Sequence, residues 1–192
     1  MPFTTTYGYD PTLAEGEEVI IVPGKAGQAL RTDAVVYENG VEISRTTLEE
    51  IVLETPTTQR ILIGTGEKVG DVRTKPLIGD GFILTPDGQV FNFSHSDQFL
   101  ASAYHMSDEG CNDTTATGTK VHHGVVAVDP TVVPYFTRMF IISNDGVYIY
   151  GEGRAEDCGG AINGKRLDLY FDSVSACNAF GLRDCTVYFL TD

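Results

Sequence analysis

The sequence predicts an all-β protein, an extended β-sheet module followed by a small β-barrel with one short helix. Three observations carry that expectation. Polar and apolar residues alternate with a period of two over most of the chain, the pattern of half-buried strands. Turn signals such as Glu38-Asn39-Gly40 and Thr85-Pro86-Asp87-Gly88 break the alternation. Helical punctuation occurs once, from Ser173 as N-cap through Ala176, Ala179 and Phe180 to Gly181 as the stop.

Residues 1–66 read as one thin module. Strands are expected over Glu17 to Val22, Leu30 to Tyr37, Val41 to Leu53 and Arg60 to Ile63, and apolar residues are too sparse there for a thick core. Residues 67–98 read as a hairpin connector, with Phe82-Ile83-Leu84 and Val90-Phe91-Asn92-Phe93 flanking a turn. Residues 99–192 hold more aromatics and longer apolar strands: Phe99 to Tyr104, Gly124 to Val128, Met139 to Ile142, Gly146 to Tyr150, Arg166 to Phe171 and Thr186 to Leu190. Many strands with a single helix point to a small barrel for this half.

Bulk composition narrows the function. The chain has 192 residues, 42% of them hydrophobic and 21% charged, the mix of an ordinary folded protein. A formal charge of −14 argues against nucleic acid, whose phosphates supply most of such affinity, and against anionic lipid; a neutral polymer such as a glycan is compatible with it. No long apolar run suggests a membrane span, and no basic-then-apolar leader is read at the N-terminus. The four cysteines, Cys111, Cys158, Cys177 and Cys185, form no CxxC pair, so no zinc or redox motif is read. Their even number permits two disulfides, for instance Cys111 with Cys158 and Cys177 with Cys185, among three possible connectivities. Adjacent histidines on a strand point to opposite faces, so His122-His123 does not suggest chelation, and neither metal nor cofactor is expected.

The most informative stretch runs from Ala155 to Phe171. It sets Asp157 beside a glycine-rich turn and Asp168 in a strand, where Leu167, Leu169 and Phe171 alternate with Asp168 and Tyr170. A carboxylate on such a strand, facing a groove, would have its pKa raised by partial burial toward the range of a general acid.

Two resemblances sharpen this. The first third resembles the G-five domain, an extended β module of secreted cell-wall proteins, through Pro2-Phe3, Asp10-Pro11, Gly16, Gly24, Gly27, Tyr37-Glu38-Asn39-Gly40-Val41-Glu42-Ile43-Ser44-Arg45, Pro56 and Gly64-Thr65. That implies a spacer or an adhesive module for peptidoglycan, with N-acetylglucosamine as the sugar recognised. The second half resembles the three-aspartate (3D) domain found in stationary-phase survival and resuscitation-type wall proteins. Its motifs stand here as Ala101-Ser102-Ala103-Tyr104, Thr115-Ala116-Thr117-Gly118, Val126-Ala127-Val128-Asp129-Pro130, Ala155-Glu156-Asp157-Cys158-Gly159-Gly160-Ala161-Ile162 and Arg166-Leu167-Asp168-Leu169-Tyr170-Phe171. One departure is Val133-Pro134-Tyr135-Phe136-Thr137, where the family pattern has Ile-Pro-Leu-Gly-Thr.

This second resemblance implies a six-stranded double-psi β-barrel that cleaves peptidoglycan in the cell wall or extracellular space. Asp129, Asp157 and Asp168 take the namesake positions, with Asp168 as the catalytic acid. The activity implied is lytic transglycosis, in which one aspartate protonates the oxygen between N-acetylmuramic acid and N-acetylglucosamine and then takes a proton from the muramyl C6 hydroxyl. Gly159 and Gly160 are the expected backbone contacts for substrate, and Thr117, Lys120 and Tyr104 the candidate groove side chains. A glycoside hydrolase using two aspartates, or a non-catalytic wall-binding protein, are the alternatives. The residues themselves leave other roles open: Asp129 as a turn cap before Pro130, and Asp157 as an acceptor for glycine-turn amides.

Overall fold

The computed structural model describes residues 1–68, 70, 72–108 and 111–191. In chain order the elements are β1 (Thr5–Asp10), β2 (Glu18–Val22), β3 (Gln28–Glu38), β4 (Val41–Glu54), β5 (Gln59–Gly64), β6 (Leu77–Gly79), β7 (Phe82–Leu84), β8 (Val90–Tyr104), β9 (Val125–Val128), β10 (Arg138–Ser143), β11 (Ile149–Asp157), β12 (Arg166–Tyr170), α1 (Val174–Phe180) and β13 (Arg183–Thr191). Two compact units are present, Met1–Asp80 with Leu84–Gly88, and Gly81–Ile83 with Gln89–Asp192.

In the first unit β1 and β2 flank β5, with β1 parallel and β2 antiparallel to it. Strands β3 and β4 form a separate two-stranded ribbon. Its turn has positive φ at both Asn39 (51°) and Gly40 (79°), the backbone twist that a two-residue hairpin between right-twisted strands requires. Almost every residue of the ribbon is exposed, as the sparse apolar content led one to expect. Gly64 is fixed by close approach: a Cβ there would lie 1.9 Å from the backbone oxygen of Ala14, so no side chain fits where this loop meets β5.

In the second unit the core is made by the inward residues of β8 to β13, including Val126, Val128, Met139, Ile141, Leu167, Leu169 and Val187, with Phe180 of α1 packed among them. The helix stands as its sequence signals require. Ser173 Oγ accepts from the Ala176 amide at 3.2 Å, and Gly181, at φ +64°, ends the helix with its own N–H on the Cys177 carbonyl.

The expected six-stranded double-psi β-barrel is corrected. The strands form an eight-stranded mixed sheet in the order β12-β9-β11-β10-β13-β8-β7-β6, with an additional pairing of β12 to β8. Two of the eight, β6 and β7, come from the segment read as a connector. The reason lies in β8. Alternation in the sequence suggests two short strands separated by the polar run Ser94 to Gln98, but antiparallel pairing with β13 carries across that run, with one register shift at Ser94, from Asn92↔Thr191 to Ala101↔Arg183. Main-chain hydrogen bonds do not depend on side-chain polarity, so one 15-residue strand results and its first half offers pairing to β7. Similarly, the strand expected over Gly146 to Tyr150 begins at Ile149 and runs on to Asp157. Of the two possibilities that the cysteine count left open, the structure has free thiols, with Cys185 buried, Cys177 half-buried on α1, and Cys111 and Cys158 exposed.

Candidate functional site

The site is built by register. Asp168 in β12 lies opposite Ser102 of β8 on one side and Ala127 of β9 on the other, and Ala127 in turn lies opposite Asp157 of β11. Ser102, Asp168, Ala127 and Asp157 therefore form a row across four neighbouring strands. Neighbouring strands are about 4.8 Å apart, so the two aspartate backbones stand roughly 10 Å from each other. The residues beside Asp168 in that row are small, which leaves space above its carboxyl. Along β12, Leu167 and Leu169 point to the opposite side and are fully buried in the main core, anchoring the strand.

A cleft of about 540 Å³ opens over this row, lined by Asp168, Asp157, Tyr104, Ala127, Cys111, Asn112, the loop Thr114 to Ala116 and the turn Cys158 to Ile162. Asp168 is half-buried on it. Its carboxyl accepts from Ser102 Oγ at 2.8 Å, and its pKa is raised above the ordinary carboxylate value. Burial is the leading cause, assisted by the negative charges of Asp108 and Asp157, against the Ser102 hydrogen bond and the Arg166 charge, which lower it.

Asp157 is held by three donors. Its Oδ1 accepts from the Ala116 amide at 3.0 Å and the Cys158 amide at 2.9 Å, and its Oδ2 from the Tyr104 hydroxyl at 3.2 Å. It thus ties together the two loops that wall the cleft. Burial and the neighbouring Asp157 charge push the Tyr104 phenol well above its usual range, so it remains a hydrogen-bond donor at any physiological pH.

The remaining sequence candidates divide. Gly159, Gly160 and Tyr104 line the cleft beside the two aspartates. Asp129, Thr117 and Lys120 are not among its lining residues. Asp129 closes its own turn, accepting from the Thr131 amide and hydroxyl at 2.9 and 2.6 Å, and it accepts the Gly164 amide at 2.8 Å; these bonds, Thr131 first, hold it below the usual carboxylate range. Thr117 bonds the Glu156 carbonyl with both its amide and its hydroxyl, and Lys120 is ion-paired to Asp113. Sequence reasoning passed over Ser102, Asp108 and the loop residue Asn112 as site residues. Ser102 was findable as the groove-facing neighbour two positions before Tyr104; Asp108 reaches Asp168 only through tertiary folding.

The turn beside the cleft carries an outlier. The Thr137 amide bonds the Pro134 carbonyl at 3.2 Å, and Phe136 within that turn has φ +70°, a region that costs a side-chain-bearing residue roughly 1–2 kcal/mol.

Comparison with known proteins places family models on both units. The G5 domain model matches residues 1–66 and the 3D domain model residues 124–191. The chain carries a G5 domain and a 3D domain. All three of Asp129, Asp157 and Asp168 fall within the 3D match. Among curated proteins of Bacillus subtilis strain 168, the chain is similar to the putative cell wall shaping protein YabE, 30% identical over 181 residues, covering 90% of this chain and 42% of that protein. It is also similar to the cell wall-binding protein YocH, 35% identical over 91 residues, 45% of this chain and 30% of that one. The chain thus spans less than half the length of these relatives. A solved structure of an E. coli lytic transglycosylase, MltA, aligns with a TM-score of 0.36 and 21% identity over 44% of this chain and 29% of that one, a likeness too slight to carry weight.

Proposed function

We propose that this chain acts on peptidoglycan outside the cell as a lytic transglycosylase, with Asp168 as its one catalytic residue and the G5 domain as a wall-binding module, N-acetylglucosamine being the sugar that module recognises. The observation that carries the reading is the state of Asp168: a half-buried carboxyl on a cleft, bonded by the Ser102 hydroxyl and shifted toward protonation. The presence of G5 and 3D domains, and the wall-related names of similar proteins, support the setting.

In this mechanism protonated Asp168 gives its proton to the oxygen between N-acetylmuramic acid and N-acetylglucosamine, and the C1–O bond breaks. The positive charge that develops at C1 is offset by the acidic groups around the cleft, Asp157 above all. Asp168, now anionic, takes the proton of the muramyl C6 hydroxyl as that oxygen bonds to C1. The product is a 1,6-anhydro sugar, water does not enter, and Asp168 ends protonated as it began. Each acid or base step of this type contributes on the order of 10²–10⁴-fold. Gly159, Gly160 and Tyr104 are the substrate contacts of this reading; Thr117, Lys120 and Asp129 act by holding the surrounding loops.

The test is digestion of purified sacculi by the parent chain and by Asp168→Ala, with mass spectrometry of the soluble fragments. Anhydro-ended muropeptides, lighter by one water than reducing ends, are expected from the parent, and their release should fall by at least about 10²-fold in the variant. Reducing ends would instead indicate a two-aspartate hydrolase. The hydrogen bonding of Asp157 to three donors disfavours that route, because three of its roughly four acceptor sites are already engaged. Wall binding with no fragments from either protein would leave a non-catalytic binding role, the one that the printed name of YocH describes for that protein.

A further inference from the structure

We infer that Tyr135 and Phe136 form an aromatic subsite for a sugar ring, extending the Asp168 cleft along the glycan strand; the inference rests on the glycan reading above. Phe136 is 53% exposed and belongs to neither buried cluster of its unit, yet it sits in a turn at a φ of +70° that favours glycine. Backbone strain spent on a ring that packs into no core has no folding benefit, and such outliers gather where a ligand is held.

The ring is nevertheless fixed. The Phe136 amide bonds the Ala155 carbonyl at 2.7 Å, and the Arg154 guanidinium lies 4.9 Å from the ring centroid. Arg154 is itself held by Glu156, whose buried carboxylate also accepts from the Thr119 hydroxyl at 2.8 Å. On the other side Tyr135 lies beside Cys158, which lines the cleft next to Asp157. Aromatic surface thus continues from the cleft wall outward, through Tyr135 to Phe136, with a guanidinium at its margin.

A pyranose ring fits that chemistry. Its face of C–H groups stacks on an aromatic ring while its hydroxyl and acetamido groups reach flanking donors, here Arg154 and the tyrosine hydroxyl. A lipid surface fits worse, because one aromatic turn on a chain of net charge −14 offers little apolar area and much repulsion.

The test is made in the Asp168→Asn background by titration with chito-oligosaccharides of N-acetylglucosamine, followed at the Gly159 and Gly160 amide resonances beside the cleft so that sugar held by the G5 domain is not counted. Phe136→Gly is expected to weaken binding about 3- to 10-fold, to raise the melting temperature by relieving the backbone, and Phe136→Tyr to restore affinity. Equal affinity in Phe136→Gly, or no saccharide binding by the parent background, overturns the subsite. Loss of binding to zwitterionic lipid vesicles, with saccharide affinity unchanged, overturns it in favour of a membrane contact. The two readings fail separately: intact Phe136-dependent binding with no muropeptide release removes the transglycosylase alone, and release with Phe136-independent binding removes the subsite alone.

Discussion

Asp168 gains its character from its neighbours. Alternation with Leu167, Leu169 and Phe171 already marks it as a strand aspartate, but the flanking Ser102 and Ala127, which leave it room and one hydrogen bond, are set by strand register. The direction of its shift gives a stability prediction. A carboxyl whose folded pKa is raised is stabilised relative to the unfolded chain at low pH, and that stability is lost as pH rises from the unfolded value through the folded one. Asp168→Asn should therefore raise the melting temperature near neutral pH and leave it unchanged below about pH 3.5, where the acid is protonated in both states. Under the proposed mechanism the rate should fall on the alkaline side as Asp168 ionises. Removing the Ser102 hydroxyl takes away a bond that favours the anion, so Ser102→Ala should move that alkaline limb to higher pH in a pH–rate profile. Asp129 behaves oppositely, its pKa held low by Thr131 and Gly164, so its contribution is present above the unfolded value and lost as pH falls through the folded one.

At the scale of elements, the parts governed by short-range rules were legible. The hairpin at Asn39-Gly40 and the helix from Ser173 to Gly181 follow from backbone preferences of the residues at those positions, and both stand where the sequence indicates. Ser173→Ala should cost about 1 kcal/mol in chemical denaturation through the lost cap. Gly64→Ala should cost about 3 kcal/mol, because the new methyl meets backbone that has no rotamer to change. Less legible were β1 and β6. Thr5 to Asp10 alternates weakly and exists as a strand through parallel pairing with β5, whose residues lie far along the chain. The merging of two expected strands into β8 has the same origin, since its polar middle is held by β13.

For the molecule as a whole, the state of the four cysteines can be checked directly. Titration with a thiol reagent should find four reactive groups per chain, with Cys111 and Cys158 modified first and Cys185 only on unfolding, because burial in the folded chain pushes its thiol up to about 11. Two groups or none would restore the bridges. What the sequence determined by itself was local: an all-β chain with one helix, its turns and caps, and an aspartate placed on the polar side of an apolar strand. Those features depend on residues within a few positions of one another. The tertiary structure decided which strands are neighbours, and with that the count of eight in the sheet, the row from Ser102 through Asp168 and Ala127 to Asp157, and the exclusion of Asp129, Thr117 and Lys120 from the cleft lining. Register between distant strands depends on how the whole core packs, and no window of sequence contains that information.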